Sequence, residues 1–197
     1  MTDRSSLSRR TVLSAGVAGL AAASGIAHAQ GQPIRIGSTL ALTGPLSATA
    51  QVHKIVGEIY VEQVNKRGGW LGRQLQWVLL DDQSKPDLAR TLYEQLVTAD
   101  KVDLLMGPYA TGAILSAMGV AQRYDKVLVH HTFGIPSLAK YERAFPAWSL
   151  GSDPQKTVPN TLFDALAAGP KPPKTIAVVT SKFPSIQFMS AGAREVA

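Results

Sequence analysis

Apolar positions mark the elements of this chain before anything else does. Ile34, Ile36, Thr39 and Leu40 to Leu42 form a run that is apolar on nearly both faces, the mark of a strand buried between two helix layers. Thr43-Gly44-Pro45 ends it, since Gly and Pro break the pairing and turn the chain. Ala50 to Arg67 follows with Val52, Ile55, Val56, Ile59, Tyr60 and Val64 at helical spacing, which predicts a helix with one stripe against the sheet. Gly68-Gly69 stops that helix, and Gln74 to Asp81 reads as a second strand. Asp81 to Ser84 closes the strand with cap-type side chains, and Pro86 suits a helix's first turn. Leu88, Leu92 and Leu96 then predict a helix over Asp87 to Ala99.

The alternation continues. Val102 to Met106 is a short apolar strand, Ala113 to Tyr124 a helix burying Ile114, Leu115, Met118 and Val120, and Lys126 to His130 a fourth strand. Phe145 to Leu150 reads as one more short strand. Strands alternating with helices mean an α/β fold with a parallel sheet and right-handed crossovers. At Gly151 the pattern restarts: a helix from Asp153 and Pro154 through Ala168, a strand at Thr175 to Thr180, and a helix over Ile186 to Ala197. Residues 30–150 therefore read as an N-terminal α/β lobe and 151–197 as the start of a second, incomplete one, because one strand is no sheet.

Residues 1–29 stand apart. Arg4, Arg9 and Arg10 precede a mildly apolar Val12 to Ile26 run, and Ala27-His28-Ala29 is an A-x-A cleavage site, so this is read as an export signal cleaved after Ala29. Ser8-Arg9-Arg10-Thr11-Val12-Leu13 fits the twin-arginine pattern, with an ordinary secretory signal as the alternative. No other segment has the roughly 20 apolar residues of a membrane span. The whole chain of 197 residues carries +6, and residues 1–29 hold three Arg and one Asp of that balance. The remaining basic residues are scattered and not interleaved with aromatics, so a solvated surface is the better reading than a nucleic-acid interface. The absence of Cys excludes disulfides, thiolate metal sites and Cys nucleophiles.

Candidate chemistry gathers on one edge. The loops Thr43 to Thr49, Gly107 to Gly112 and His131 to Pro136 all follow parallel strands, so they share the sheet's carboxyl edge, where open α/β sheets place ligands. They offer backbone N–H groups and hydroxyls, and Thr111 and Gly112 open a helix whose N–H groups suit a carboxylate. Catalytic motifs are absent: there is no G-x-G-x-x-G, P-loop or G-x-S-x-G elbow. Asp81-Asp82 reads as a turn and cap rather than an acid/base pair. His130 and His131 point to opposite faces of a strand, so with His53 they make a poor metal site, although His131 suits a polar cleft wall. No metal or cofactor is expected.

IRIGSTLALTGPLSA, VNKRGGWLGRQLQWVLLDDQSKPDLA, LLMGPYATGA and VHHTFGIPSLA occur in this order, with the N-K-x-G-G-x-x-G-R/K-x-L turn at Asn65 to Leu75 the most specific part and the D-D-x-x-x-P strand end at Asp81 to Pro86 supporting it. From Pro33 on, the chain resembles the leucine/isoleucine/valine-binding receptors of ABC importers. The resemblance implies the type I periplasmic-binding-protein fold, two α/β lobes closing on a small ligand, and no catalysis. It implies membrane permease and ATPase subunits as partners, a periplasmic location, and a small amino acid, amide or carboxylate as ligand; a ligand-sensing domain on the same fold is the alternative. It assigns ligand contacts to Thr49, Ala110, Thr111, Thr132 and Gly134, with Ser47 nearby; Tyr109, His131 and Phe133 of the same loops are candidates for cleft lining. Gly134 stands where amino-acid receptors usually carry Thr, and Thr49 where an aromatic is common. Both departures favour ligands other than a plain aliphatic amino acid.

Overall fold

The computed structural model describes residues 31–147 and 151–197. The chain divides into two units, Met1–Gln32 and Pro33–Ala197, and the fold below is that of the second. The export signal expected over residues 1–29 lies outside the described residues, as do residues 148–150 of the last strand expected in the first lobe.

The elements run β1 (Ile34–Leu40), α1 (Ser47–Lys66), β2 (Leu75–Asp81), α2 (Pro86–Thr98), β3 (Leu104–Met106), α3 (Thr111–Arg123), β4 (Leu128–His130), β5 (Ala144–Pro146), α4 (Pro154–Ala167) and α5 (Pro184–Val196). The five strands form one sheet in the order β2-β1-β3-β4-β5, every adjacent pair parallel. From β1 the chain moves to β2 on one side and then to β3 on the other. The connections therefore diverge at the β1/β3 edge, and the loops there part to leave a crevice.

Side chains alternate across the sheet. Thr39 and Leu105 point toward α2 and α3, where Tyr93, Leu96, Val102, Ile114, Ala117, Val120 and Leu128 make the main core. Tyr93 anchors it: its buried hydroxyl donates to the Met106 carbonyl and accepts the Thr39 N–H at 3.4 Å, tying α2 to β3 and β1. Burial holds its ionisation far above the ordinary tyrosine range. The buried stripe of α2 is Ala89, Tyr93, Leu96 and Val97, rotated from the expected Leu88–Leu92–Leu96 line, so that Leu88 and Leu92 are only half-buried flanks.

The α1 side differs from expectation. The stripe predicted to face the sheet is open to solvent at Val52, Ile55, Val56, Ile59 and Tyr60, each more than half exposed. The helix meets the sheet at its first turn, where Ala50 packs with Leu40 and Ala41, where Gly57 passes over the Trp77 ring, and at its last turn, where Asn65 bonds Leu75; Tyr60 lies edge-on to Trp70 of the following turn at 6.4 Å. A cavity of about 560 Å³ remains between α1 and the sheet, lined by Ile36, Leu40, Val56, Trp77, Met106 and Val129. The stripe stays open because Val52, Val56 and Tyr60 border this cavity instead of packing on the strands, so amphipathicity alone does not bury it.

A second correction falls on Thr175–Thr180. TIAVVT forms no strand: the segment is irregular, and Val179 is 93% exposed. Without a partner among the described residues its N–H and C=O groups have no ladder to join, so strand propensity is not realised. The flanking helices form as predicted. α4 and α5 pack together where Gly192 crosses the Gln155 backbone, and Lys156 pairs with Glu195 at 2.5 Å.

Candidate functional site

The first loop is held rigid from the next connection. Asp81 accepts the Thr43 N–H at 3.1 Å, the Thr43 hydroxyl at 2.7 Å and the Gln83 N–H at 2.8 Å. Burial alone would raise its pKa, but these hydrogen bonds outweigh it and hold the carboxylate below the usual range. Asp82 is buried, accepts the Thr39 hydroxyl at 2.7 Å and the Ser84 N–H at 3.0 Å, and its pKa is raised because burial dominates. Ser84 donates to the Thr43 carbonyl and accepts the Leu46 N–H, and so pins the first loop; Lys85 occupies the α2 cap position, with no side-chain capping bond. Both aspartates are thus spent on loop structure. The loop is also shorter than expected, because α1 begins at Ser47 and places Ser47 and Thr49 in its first turn.

The next two loops meet at the start of α3. The Thr111 hydroxyl accepts the Gly134 N–H at 3.1 Å, and the Thr132 hydroxyl accepts the Ala110 N–H at 3.3 Å. Two cross-links therefore join the β3 and β4 loops through four of the five residues assigned to the ligand. Ala110 has φ 74° and ψ 148°, a conformation nearly restricted to glycine, and Thr132 has φ 56°, a genuine outlier for a β-branched residue. Such strain costs on the order of 1–3 kcal/mol per residue and persists where surroundings over-determine the backbone, typically at binding sites. α3 has no side-chain cap, so its first N–H groups and the positive end of the helix dipole are left without a side-chain acceptor at Ala110.

Rings close the same rim. His53, one turn beyond Thr49 on α1, stacks on His131 with centroids 4.6 Å apart and planes 13° apart. Tyr109 leans on His53 at 5.2 Å. His53 Nδ1 lies 3.0 Å from the Thr49 carbonyl, and His131 Nδ1 lies 3.2 Å from the Thr132 hydroxyl. Burial, with the neighbouring His53 and His130, pushes the His131 pKa down to about 4, so its ring is neutral at neutral pH. His130 turns to the opposite face and packs edge-on to Phe133 at 5.2 Å; both its ring nitrogens lack a partner among the described residues, and burial lowers its pKa.

Tyr109, Ala110, Thr111, His131, Thr132 and Gly134 are thus linked, and exposed Thr49 joins them through its carbonyl and His53; Ser47 is half-buried in the first turn of α1. Phe133 does not join them: it is 5% exposed and packed in the main core, edge-on to buried His130. Two participants escaped sequence reasoning. His53 lacked any signal beyond its place four residues after Thr49. Ser185, at the start of α5, lies so near Gly134 that a Cβ on that glycine would sit 2.8 Å from the serine Cβ. Among the described residues no cluster of three or more His, Asp or Glu is placed to hold a metal.

Residues 33–197 match the family described as Periplasmic binding protein. The substrate-binding protein BasB of the chemotactic signal transduction system of Halobacterium salinarum is 32% identical over 133 residues, 66% of this chain and 30% of that protein. The Leu/Ile/Val-binding protein BraC3 of Rhizobium johnstonii is 30% identical over 115 residues, covering 58% and 30%. The branched-chain amino acid transporter substrate-binding protein LivJ of Streptococcus pneumoniae, solved with isoleucine, superposes with TM-score 0.74 at 24% identity over 83% of this chain and 46% of that one. The chain spans about a third of the length of these curated relatives and under half of the solved protein.

Proposed function

The chain belongs to the periplasmic binding protein family, and on that premise we propose that it is the amino-terminal part of an extracytoplasmic receptor that binds a small amino acid, amide or carboxylate, without turning it over, and delivers it to an ABC importer. The observation that carries this reading is the strained, cross-linked pair of loops at the start of α3, where Ala110 and Thr132 hold positive φ beside an uncapped helix. A rim of that kind presents fixed donors to an anionic group with little left to order on binding. A second lobe begun at residues 151–197 supplies the opposing wall. Export by a signal over residues 1–29, cleaved after Ala29, places the receptor in the periplasm, with permease and ATPase subunits downstream. A second reading, a receptor reporting to a signalling partner, draws on the chemotactic role named for the relative from Halobacterium salinarum.

The test is thermal unfolding of the full-length protein by differential scanning fluorimetry against amino acids, amides and small carboxylates. A ligand at 100 times its Kd adds about 2.7 kcal/mol of stability, a shift of several degrees. A folded protein that no member of the panel stabilises, or one that hydrolyses its ligand, overturns the proposal.

A further inference from the structure

We propose that the His53–His131–Tyr109 ring cluster is a specificity wall and that the ligand of this receptor is a carboxylate borne on a flat, conjugated ring. The proposal rests on the receptor reading above and names its ligand class.

The three rings come from three separate elements, α1 and the loops after β3 and β4, and converge with centroid separations of 4.6 and 5.2 Å. Each stands next to a residue of the anion-facing rim. Tyr109 directly precedes Ala110 and Thr111, His131 directly precedes Thr132, and His53 follows Thr49 by one helical turn. A bound carboxylate at the start of α3 therefore has the rings beside it. The rings are also fixed in advance, His53 against the Thr49 carbonyl and His131 through the Thr132 hydroxyl, which itself holds the Ala110 N–H. Little ordering remains when a ligand arrives.

The two imidazoles do not have the character of core filling. All three rings are half-buried; the main core is filled mostly by Leu, Ile, Val and Ala with a few aromatics, and Tyr109 also packs against the small Leu40–Ala41–Ala50 cluster. Burying two imidazoles and a phenol among apolar groups carries a polar cost that an open rim avoids. Nor do they form a chelate. Two imidazoles stacked within 13° of parallel aim their in-plane lone pairs side by side rather than at one point, and each already has a nitrogen within hydrogen-bond distance of Thr49 or Thr132. With His131 neutral, what the wall offers is π-faces and edges rather than a cation. Such rings favour offset or edge-on contact with another π-system at 4.5–7 Å and give no equivalent gain to a puckered, saturated ring.

Isothermal titration of the full-length protein with benzoate, cyclohexanecarboxylate and L-leucine tests this. The two ring acids share charge and approximate size and differ in flatness. Benzoate is expected to bind about tenfold tighter than cyclohexanecarboxylate. His53→Leu should reduce that preference to within about twofold. The histidine Cε1–H resonances should move upfield with benzoate and stay in place with cyclohexanecarboxylate. This readout in the wild-type protein stands even where the variant folds poorly. Cyclohexanecarboxylate or L-leucine binding as tightly as benzoate overturns the wall while leaving the receptor reading intact. No binding of any of the three also overturns the wall, and the receptor reading falls with it only when the wider fluorimetric panel gives no shift either.

Discussion

Thr111→Val is the substitution that separates a ligand contact from a structural link. Thr111 is 2% exposed at the first position of α3, and its hydroxyl oxygen accepts the Gly134 N–H at 3.1 Å. Valine keeps the branched shape and removes the acceptor, leaving a half-buried N–H unpaired, at about 1–2 kcal/mol of stability. The hydroxyl's own proton has no acceptor among the described residues, so it is free to donate to an anion held at the start of α3. Losing that charge-assisted bond costs a further 1.5–3 kcal/mol or so of binding, about ten- to more than a hundredfold in Kd. Urea denaturation of the ligand-free full-length protein reads the first quantity, and titration calorimetry with a ligand identified by thermal shift reads the second. Thr111→Ser, which keeps the hydroxyl, should restore affinity to within about threefold. A valine variant that loses stability yet binds within about twofold of wild type refutes the ligand role and leaves Thr111 as a tie between two loops.

Asn65 clamps the end of α1 to β2 by donating to the Leu75 carbonyl at 2.9 Å and accepting its N–H at 2.7 Å, so Asn65→Ala should cost about 1–3 kcal/mol in urea melts; a change under about 0.5 kcal/mol would contradict this. Ala110→Gly releases a backbone held at φ 74° and should raise the melting temperature, by a net gain of about 1 kcal/mol, whereas a fall would show that the strain is not real. Gly134→Thr, which would restore the hydroxyl usual in amino-acid receptors, places its Cβ 2.8 Å from that of Ser185 and should destabilise by about 1–3 kcal/mol; the pair with Ser185→Gly should recover most of the loss. His131 has its pKa pushed down from 6.5 to about 4, so the folded state favours the neutral ring: the associated stability is present above pH 6.5 and lost as pH falls through about 4. That is up to about 3 kcal/mol, and urea midpoints between pH 7.5 and 4.5 should fall less steeply in His131→Gln.

What could be read from the chain was whatever depends on neighbours close in sequence. The strands announced themselves through Ile34–Leu40 and Leu75–Asp81, the Asp81–Ser84 turn through its cap-type residues, and the carboxyl-edge loops through parallel topology. Where burial depends on a distant neighbour, sequence pattern was silent. The α1 stripe from Val52 to Tyr60 has the periodicity of a buried face, but periodicity states only that a helix is two-sided, not that enough partner surface meets it. TIAVVT carries strand propensity, yet a strand is a property of pairs. The candidate site lies between these cases. Thr111, Thr132 and Gly134 could be placed on one edge from topology, whereas the positive φ of Ala110 and Thr132 could not be foreseen, since neither residue type favours it. The strain arises from the site itself. Thr132 turns its hydroxyl back to the Ala110 N–H, and the Ala110 backbone is bent to start α3 within reach of Gly134, so each residue holds the other in a conformation that neither adopts alone. Ring stacking between His53 and His131, 78 positions apart, is set by the same closure of the β4 loop onto α1. Relaxing either strained residue should therefore shift the His131 ring as well as the backbone at the start of α3, because the single hydroxyl of Thr132 contacts both.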